Sequence, residues 1–156
     1  MTLKPANYKY YPIEDTSLQK IGPLYADIEL LSFHDLVLNR RGHLPDKDIR
    51  RIKKSALVNS DAAHLVINEE IKELLGLEVC EKRTVRLPDQ SVKEVEMVGP
   101  VEIRLEGQNG IARAMVLPGA NEVLLGRIPL AGLHVFIDSE SRQLRLMSSI
   151  PIKKAA

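Results

Sequence analysis

Tryptophan is missing from this 156-residue chain, and aromatic residues make up only 4% of it. Stacking platforms for bases or sugar rings would have to come from very few side chains, which argues against a nucleic-acid partner. Net charge is nearly missing too. Twenty-two Lys and Arg face 21 Asp and Glu, leaving +1 at neutral pH, so no global field steers the protein toward phosphate or a membrane surface. A lone cysteine, Cys80, excludes an intramolecular disulfide and a cysteine-rich metal site and fits a reducing compartment. A packed thiol is the expectation for it. No apolar stretch approaches the ~20 residues needed to span a bilayer, and residues 1–12 lack the basic-then-apolar run of a signal peptide. The expectation is a cytoplasmic protein without a membrane partner. No Ser-, Gly- or Pro-rich stretch divides the chain, and 44% apolar residues suffice for one compact core.

What is present is a series of short strand patterns. Residues 1–23 have no clean period, and Pro5, Pro12 and Gly22-Pro23 read as an N-terminal extension punctuated by turns. From Leu24 the chain alternates: Leu24, Ala26, Ile28 and Leu30 against Tyr25, Asp27 and Glu29, as a strand with one buried face requires. Ser32 and Gly42 bracket an expected helix over 33–41, and a strand follows over 49–58. Asn68 is a good helix cap, with Ile71, Leu74 and Leu75 as the apolar face and Gly76 as the stop. Runs over 79–87 and 92–98 flank Pro88-Asp89-Gln90-Ser91, the tip of a heavily charged, solvent-projecting hairpin. A second hairpin is expected from 101–105 and 111–117, turning at Gly107-Gln108-Asn109-Gly110. After the apolar run 122–127 come a short helix near 129–133, strands over 133–138 and 143–147, and a C-terminal tail over 148–156.

One place breaks the pattern in a way that points to a site. The apolar run Ala56-Leu57-Val58 heads inward and then presents Asn59, Ser60 and Asp61 in succession. Burying such polar groups without partners costs ~1–3 kcal/mol each, so the turn must hold them in a specific arrangement. Elsewhere the signals are weak. His34, His43, His64 and His134 lack the close spacing of a metal site, so neither a metal nor a cofactor is expected. The basic zone of Arg40, Arg41, Arg50, Arg51, Lys53 and Lys54 is explained by solvated strand and loop edges.

The segment Leu57-Val58-Asn59-Ser60-Asp61-Ala62, followed by an apolar strand, resembles the active-site segment of retropepsin-like (clan AA, retroviral-type) aspartic proteases. That family writes two hydrophobic residues, Asp, Thr or Ser, Gly and Ala at this place. The Leu124-Leu125-Gly126-Arg127 run resembles the family's hydrophobic-hydrophobic-Gly loop, and the resemblance covers 24–147. It implies an all-β fold, a retropepsin-like acid-protease β-barrel with one or two short helices. It also implies a flap hairpin over 83–98 with Asp89 and Gln90 near its tip, and a peptide-binding surface that includes Ala62 and Gly126. An aspartic protease needs two carboxylates sharing one proton. A chain with one triplet therefore implies a homodimer with its site on the two-fold axis.

The departures from the family bear on catalysis. Asn59 stands where the family has its catalytic Asp, and an amide cannot act as a general base near neutral pH. Ser60 keeps the family's hydroxyl. Asp61 replaces a Gly, so it either strains the turn or points a carboxylate into the cleft. The implied function is a peptidase homologue, catalytically impaired, that keeps a peptide or protein ligand under its flap. Two other functions fit the same residues: an active endopeptidase using Asp61 or a deamidated Asn59, and a non-catalytic dimerisation or assembly module.

Overall fold

A computed structural model describes residues 23–141 and 143–147. The N-terminal extension, apart from Pro23, and the C-terminal tail lie outside these residues. Strand β1 (Leu24–Ser32) buries Ala26, Ile28 and Leu30 on one face, as its alternation requires. It leads into α1 (Phe33–Arg40), where the Ser32 side chain accepts from the Asp35 N–H as an N-cap. A single 3₁₀ turn (Asp46–Asp48) then occupies part of the loop, so strand β2 (Arg51–Val58) starts two residues later than the expected 49. Ile49 instead packs with Leu31 and Leu36 in a small satellite core under α1.

The remaining elements are β3 (Leu65–Ile67), α2 (Glu69–Leu75), β4 (Val79–Arg86), β5 (Val92–Leu105), β6 (Gln108–Val116), β7 (Val123–Leu125), α3 (Arg127–Gly132), β8 (Val135–Asp138) and β9 (Gln143–Leu146). Among the described residues three short α-helices are present, at the three places the residue pattern marked, where the family resemblance implied one or two. The third begins early because Pro129 falls in its first turn, where a missing N–H costs nothing. In α2 the Asn68 cap and the left-handed Gly76 stop form as expected. Leu74 does not join the buried face: Ile71 and Leu75, four apart, point inward, and Leu74 is 47% exposed on the flank.

The sheet closes on itself. Six strands run in the order β1-β2-β7-β3-β6-β5, and β5 returns to β1 through Glu29↔Arg104 to Ser32↔Val101, making a β-barrel. Two neighbours, β2–β7 and β3–β6, are parallel, and the other pairs are antiparallel. β4 extends the sheet outside the ring on the far edge of β5. The interior is filled by Ile28, Leu30, Leu65, Ile67, Val101, Ile103, Ala114 and Leu125 with others, each of the larger ones contributing ~1.5–3 kcal/mol through burial.

Two turn expectations are corrected. The stretches 92–98 and 101–105 are one strand, continuous past a bulge at the cis Gly99-Pro100 step. The second hairpin turns at Glu106-Gly107, because Leu105 pairs directly with Gln108. A two-residue loop of type I′ has positive φ at both centres, and Glu106 (51°) and Gly107 (81°) supply it. Asn109-Gly110 lies inside β6, where Gly110 gives room for the Gly132 backbone of α3, 3.0 Å from where a Cβ would stand. Cys80 is also corrected. It is exposed, with Sγ 3.6 Å from the Gly99 carbonyl oxygen, because β4 lies outside the barrel.

Candidate functional site

The strand order makes the 59–64 turn structurally special. β7 sits between β2 and β3, paired parallel to Ala56–Val58 and antiparallel to Leu65 and Val66. The chain leaving β2 must therefore arch over the end of β7 to enter β3. Where β7 exits, its backbone binds the arch: Gly126 N–H donates to the His64 carbonyl at 3.1 Å, Arg127 N–H to Ala62 at 2.8 Å and Ile128 N–H to Ala63 at 2.9 Å. A Cβ on Gly126 would stand 2.6 Å from both the Ala62 and His64 carbonyl oxygens, so the approach needs glycine. The Arg127 guanidinium completes the clasp, with Nη1 donating to the Ser60 and Asp61 carbonyls at 3.2 and 3.1 Å.

Inside the arch Asn59 is the organising residue. Its N–H donates to the Leu125 carbonyl at 3.1 Å, and its own carbonyl accepts from Ala62 N–H at 3.1 Å. Its side-chain Oδ1 accepts from Asp61 N–H at 2.9 Å, an Asx-turn. The polar residues that follow the apolar run thus satisfy one another locally. Asp61 is exposed and is not among the residues with positive φ, so the position does not demand glycine's backbone freedom and the turn holds no strain there. Of the two expectations for Asp61, backbone strain is the one removed. Asn59, Ser60 and Ala62 are half-buried.

The charged hairpin of β4 and β5 reaches this turn through its arm. Arg83 Nη1 lies 3.3 Å from His64 Nε2. The tip residues Asp89 and Gln90 bond within the hairpin: Asp89 accepts from the Ser91 N–H and hydroxyl, and the Gln90 carbonyl accepts from Arg86. Arg83 and Arg86 are three residues apart on β4, so the tip extends roughly 10 Å beyond the His64 contact. The structure therefore gathers Asn59, Ser60, Asp61, Ala62 and Gly126, and leaves Asp89 and Gln90 on a separate projection.

Sequence reading missed the charged neighbours of the turn. Glu81 accepts from Arg83 Nε at 2.6 Å and from Arg113 Nη1 at 3.0 Å. The Arg83 hydrogen bond, reinforced by the two positive charges, holds the Glu81 carboxyl below the usual carboxylate range. Burial first, then the Arg83 and Arg127 charges, lower the pKa of His64, with Glu81 opposing them. The only signal available in sequence was the alternation of charge on β4, which a solvated strand shows equally.

Two other polar features lie away from the turn. Asp35 is buried and takes Arg50 through three bonds: Nε and the backbone N–H to Oδ2, Nη2 to Oδ1, all at 2.9 Å. A groove of about 690 Å³ runs beside Asp27, Glu29, Lys53 and the β5–β6 turn. It shares no residue with the arch, and its opposed charges are cross-strand neighbours such as Glu29 and Lys53, so the arch is the better candidate site. Among the described residues no group of three or more His, Cys, Asp or Glu is placed to hold a metal ion, and no helix is long and apolar enough to cross a membrane.

Chemically, the arch presents the Asn59 carboxamide, which does not accept a proton near neutral pH, and the Ser60 hydroxyl, beside the exposed Asp61 carboxylate and the His64 imidazole. No protein-family model matches the chain, and no curated protein matches it.

Proposed function

We propose that the chain is a retropepsin-like aspartic peptidase homologue that binds peptide without efficient hydrolysis, its cleft completed by a second copy across a two-fold axis. The observation that carries the reading is the arch itself. Asn59 stands at the position of the family's acid, and its Oδ1 accepts from the backbone two residues on, a bond that a carboxylate would accept equally well. The Gly126-Arg127 exit of β7 clasps the same turn, which supports the likeness of the Leu124-Leu125-Gly126-Arg127 run to the family's hydrophobic-hydrophobic-Gly loop. The β4–β5 hairpin beside it supplies the flap.

In this reading the fold outlives the chemistry because Asn and Asp are nearly isosteric and the turn needs only an acceptor. What is lost is the shared proton between two carboxylates, which activates water on one side and protonates the carbonyl on the other. The test compares wild type, Asn59→Asp and the double variant Asn59→Asp with Asp61→Gly on a degenerate peptide library, with sedimentation to establish the dimer. Wild type is expected to leave the library intact, and the double variant to gain acid-favoured cleavage blocked by pepstatin. Pepstatin-sensitive turnover by the wild type, abolished by Asp61→Ala, would overturn the proposal, as would a strictly monomeric protein.

A further inference from the structure

Three separate elements bring charged groups around one imidazole. Parallel pairing of β3 with β6 sets Leu65 beside Ala114, both facing the barrel interior. The residues just before them, His64 and Arg113, therefore stand side by side on the outer surface. Arg83 reaches His64 from β4 at 3.3 Å, and Arg127 comes from the start of α3, anchored on the Ser60 and Asp61 carbonyls. Glu81 is the carboxylate bound among them, with one oxygen on Arg83 and the other on Arg113. Three guanidiniums against one carboxylate leave an excess of two positive charges. Counting the exposed Asp61 carboxylate still leaves one.

The donors are not used up. A guanidinium offers five N–H groups. Among the described residues the recorded bonds take Nε and Nη1 of Arg83 and Nη1 of Arg113 and Arg127, so Nη2 of all three is open. Arginine donates only, so His64 Nε2 must be the acceptor in its contact with Arg83, which puts the imidazole proton on Nδ1 as a further donor. The group is thus built of donors with a deficit of acceptor oxygens. Arg83 and Arg113 are 41% and 52% exposed, so a ligand can reach them.

We infer that the Arg83, Arg113 and Arg127 guanidiniums around His64 form a subsite for a carboxylate side chain, and that the preferred ligand is a peptide carrying Asp or Glu. This rests on the peptide-binding reading above and names the class of peptide. The incoming carboxylate takes the open Nη2 donors beside the arch, and Glu81 competes with it for Arg83 and Arg113.

The experiment uses fluorescence anisotropy with three degenerate nonapeptide pools, fixed at the centre as Glu, Gln or phosphoserine. Wild type is expected to bind the Glu pool about tenfold more tightly than the Gln pool, as charge-assisted hydrogen bonds imply. Added salt should narrow that gap. Arg127→Gln should reduce the preference to about threefold or less, and Glu81→Gln should widen it by freeing two guanidiniums. Arg113→Gln, which leaves the arch contacts in place, serves if Arg127→Gln melts early. Equal binding of the Glu and Gln pools sinks this inference and leaves the peptide-binding reading standing. Binding of no pool sinks both. Preference for phosphoserine over Glu, or a Glu preference unchanged in every arginine variant, overturns the carboxylate assignment.

Discussion

Replacing Gly126 by Ala tests whether the clasp on the 59–64 arch is as tight as its geometry. The added methyl would stand 2.6 Å from the Ala62 and His64 carbonyl oxygens, about 0.8 Å inside the 3.4 Å at which ordinary contact begins. Neither neighbour is a flexible side chain, so β7's exit and the arch must separate. A shift of that size stretches the Gly126–His64, Arg127–Ala62 and Ile128–Ala63 hydrogen bonds, now 3.1, 2.8 and 2.9 Å, beyond useful length. Overpacking costs ~1–3 kcal/mol and each lost bond ~1 kcal/mol. These are alternative ways of relieving one clash, so the expected loss is about 2–3 kcal/mol rather than their sum. For a chain of this size that corresponds to a Tm lower by roughly 6–9 °C in calorimetry. Gly132→Ala is the control. A Cβ there meets nothing within 4 Å, and Gly132 is outside the left-handed region, so it should raise stability by about 0.4–1 kcal/mol. Equal melting temperatures for the two variants would show that the arch yields freely, and the argument from close approach would fail.

Arg50→Ala should cost about 2 kcal/mol in urea denaturation. It leaves the buried Asp35 carboxylate without its guanidinium, a loss moderated because Arg50 is itself half exposed. The Arg50 hydrogen bonds hold the Asp35 carboxyl below its usual range. Its contribution is therefore complete above the unfolded value of about 4 and is lost as pH falls through the lower folded value; Asp35→Asn should flatten that acid limb. The pKa of His64 is lowered by burial and two guanidiniums, so between its folded value and about 6.5 the unfolded chain binds the extra proton and stability falls with falling pH. The His64 imidazole resonances should titrate below those of a free histidine in NMR; titration at or above 6.5 would refute the crowding of charge around it.

The all-β character was legible because its signals are local. The alternation from Leu24 to Leu30, the Asn68 cap and the Gly76 stop each depend on residues within one element, and each formed where expected. Errors arose where tertiary packing overrode local preference. Asn109-Gly110 is a strong turn pair, yet α3 approaches β6 there and uses the glycine for clearance, while Glu106-Gly107 adopts the two positive φ values. Cys80 was expected to be packed, but β4 lies beyond the closed ring. The arch at 59–61 stood out in sequence because polar residues interrupt an inward run. The arginines around His64 did not, since residues 64, 83, 113 and 127 become neighbours only through strand order.

Closure of the ring also dictates when the molecule can mature on the ribosome. β1 and β2 can pair as soon as both have emerged, but their apolar face waits for β5 at Val101–Arg104 and for β7 at Val123–Leu125. Contacts so distant in the chain form late in synthesis and slowly thereafter. Until Leu125 clears the exit tunnel the nascent sheet stays open along β2, and that interval is when a chaperone has something to hold.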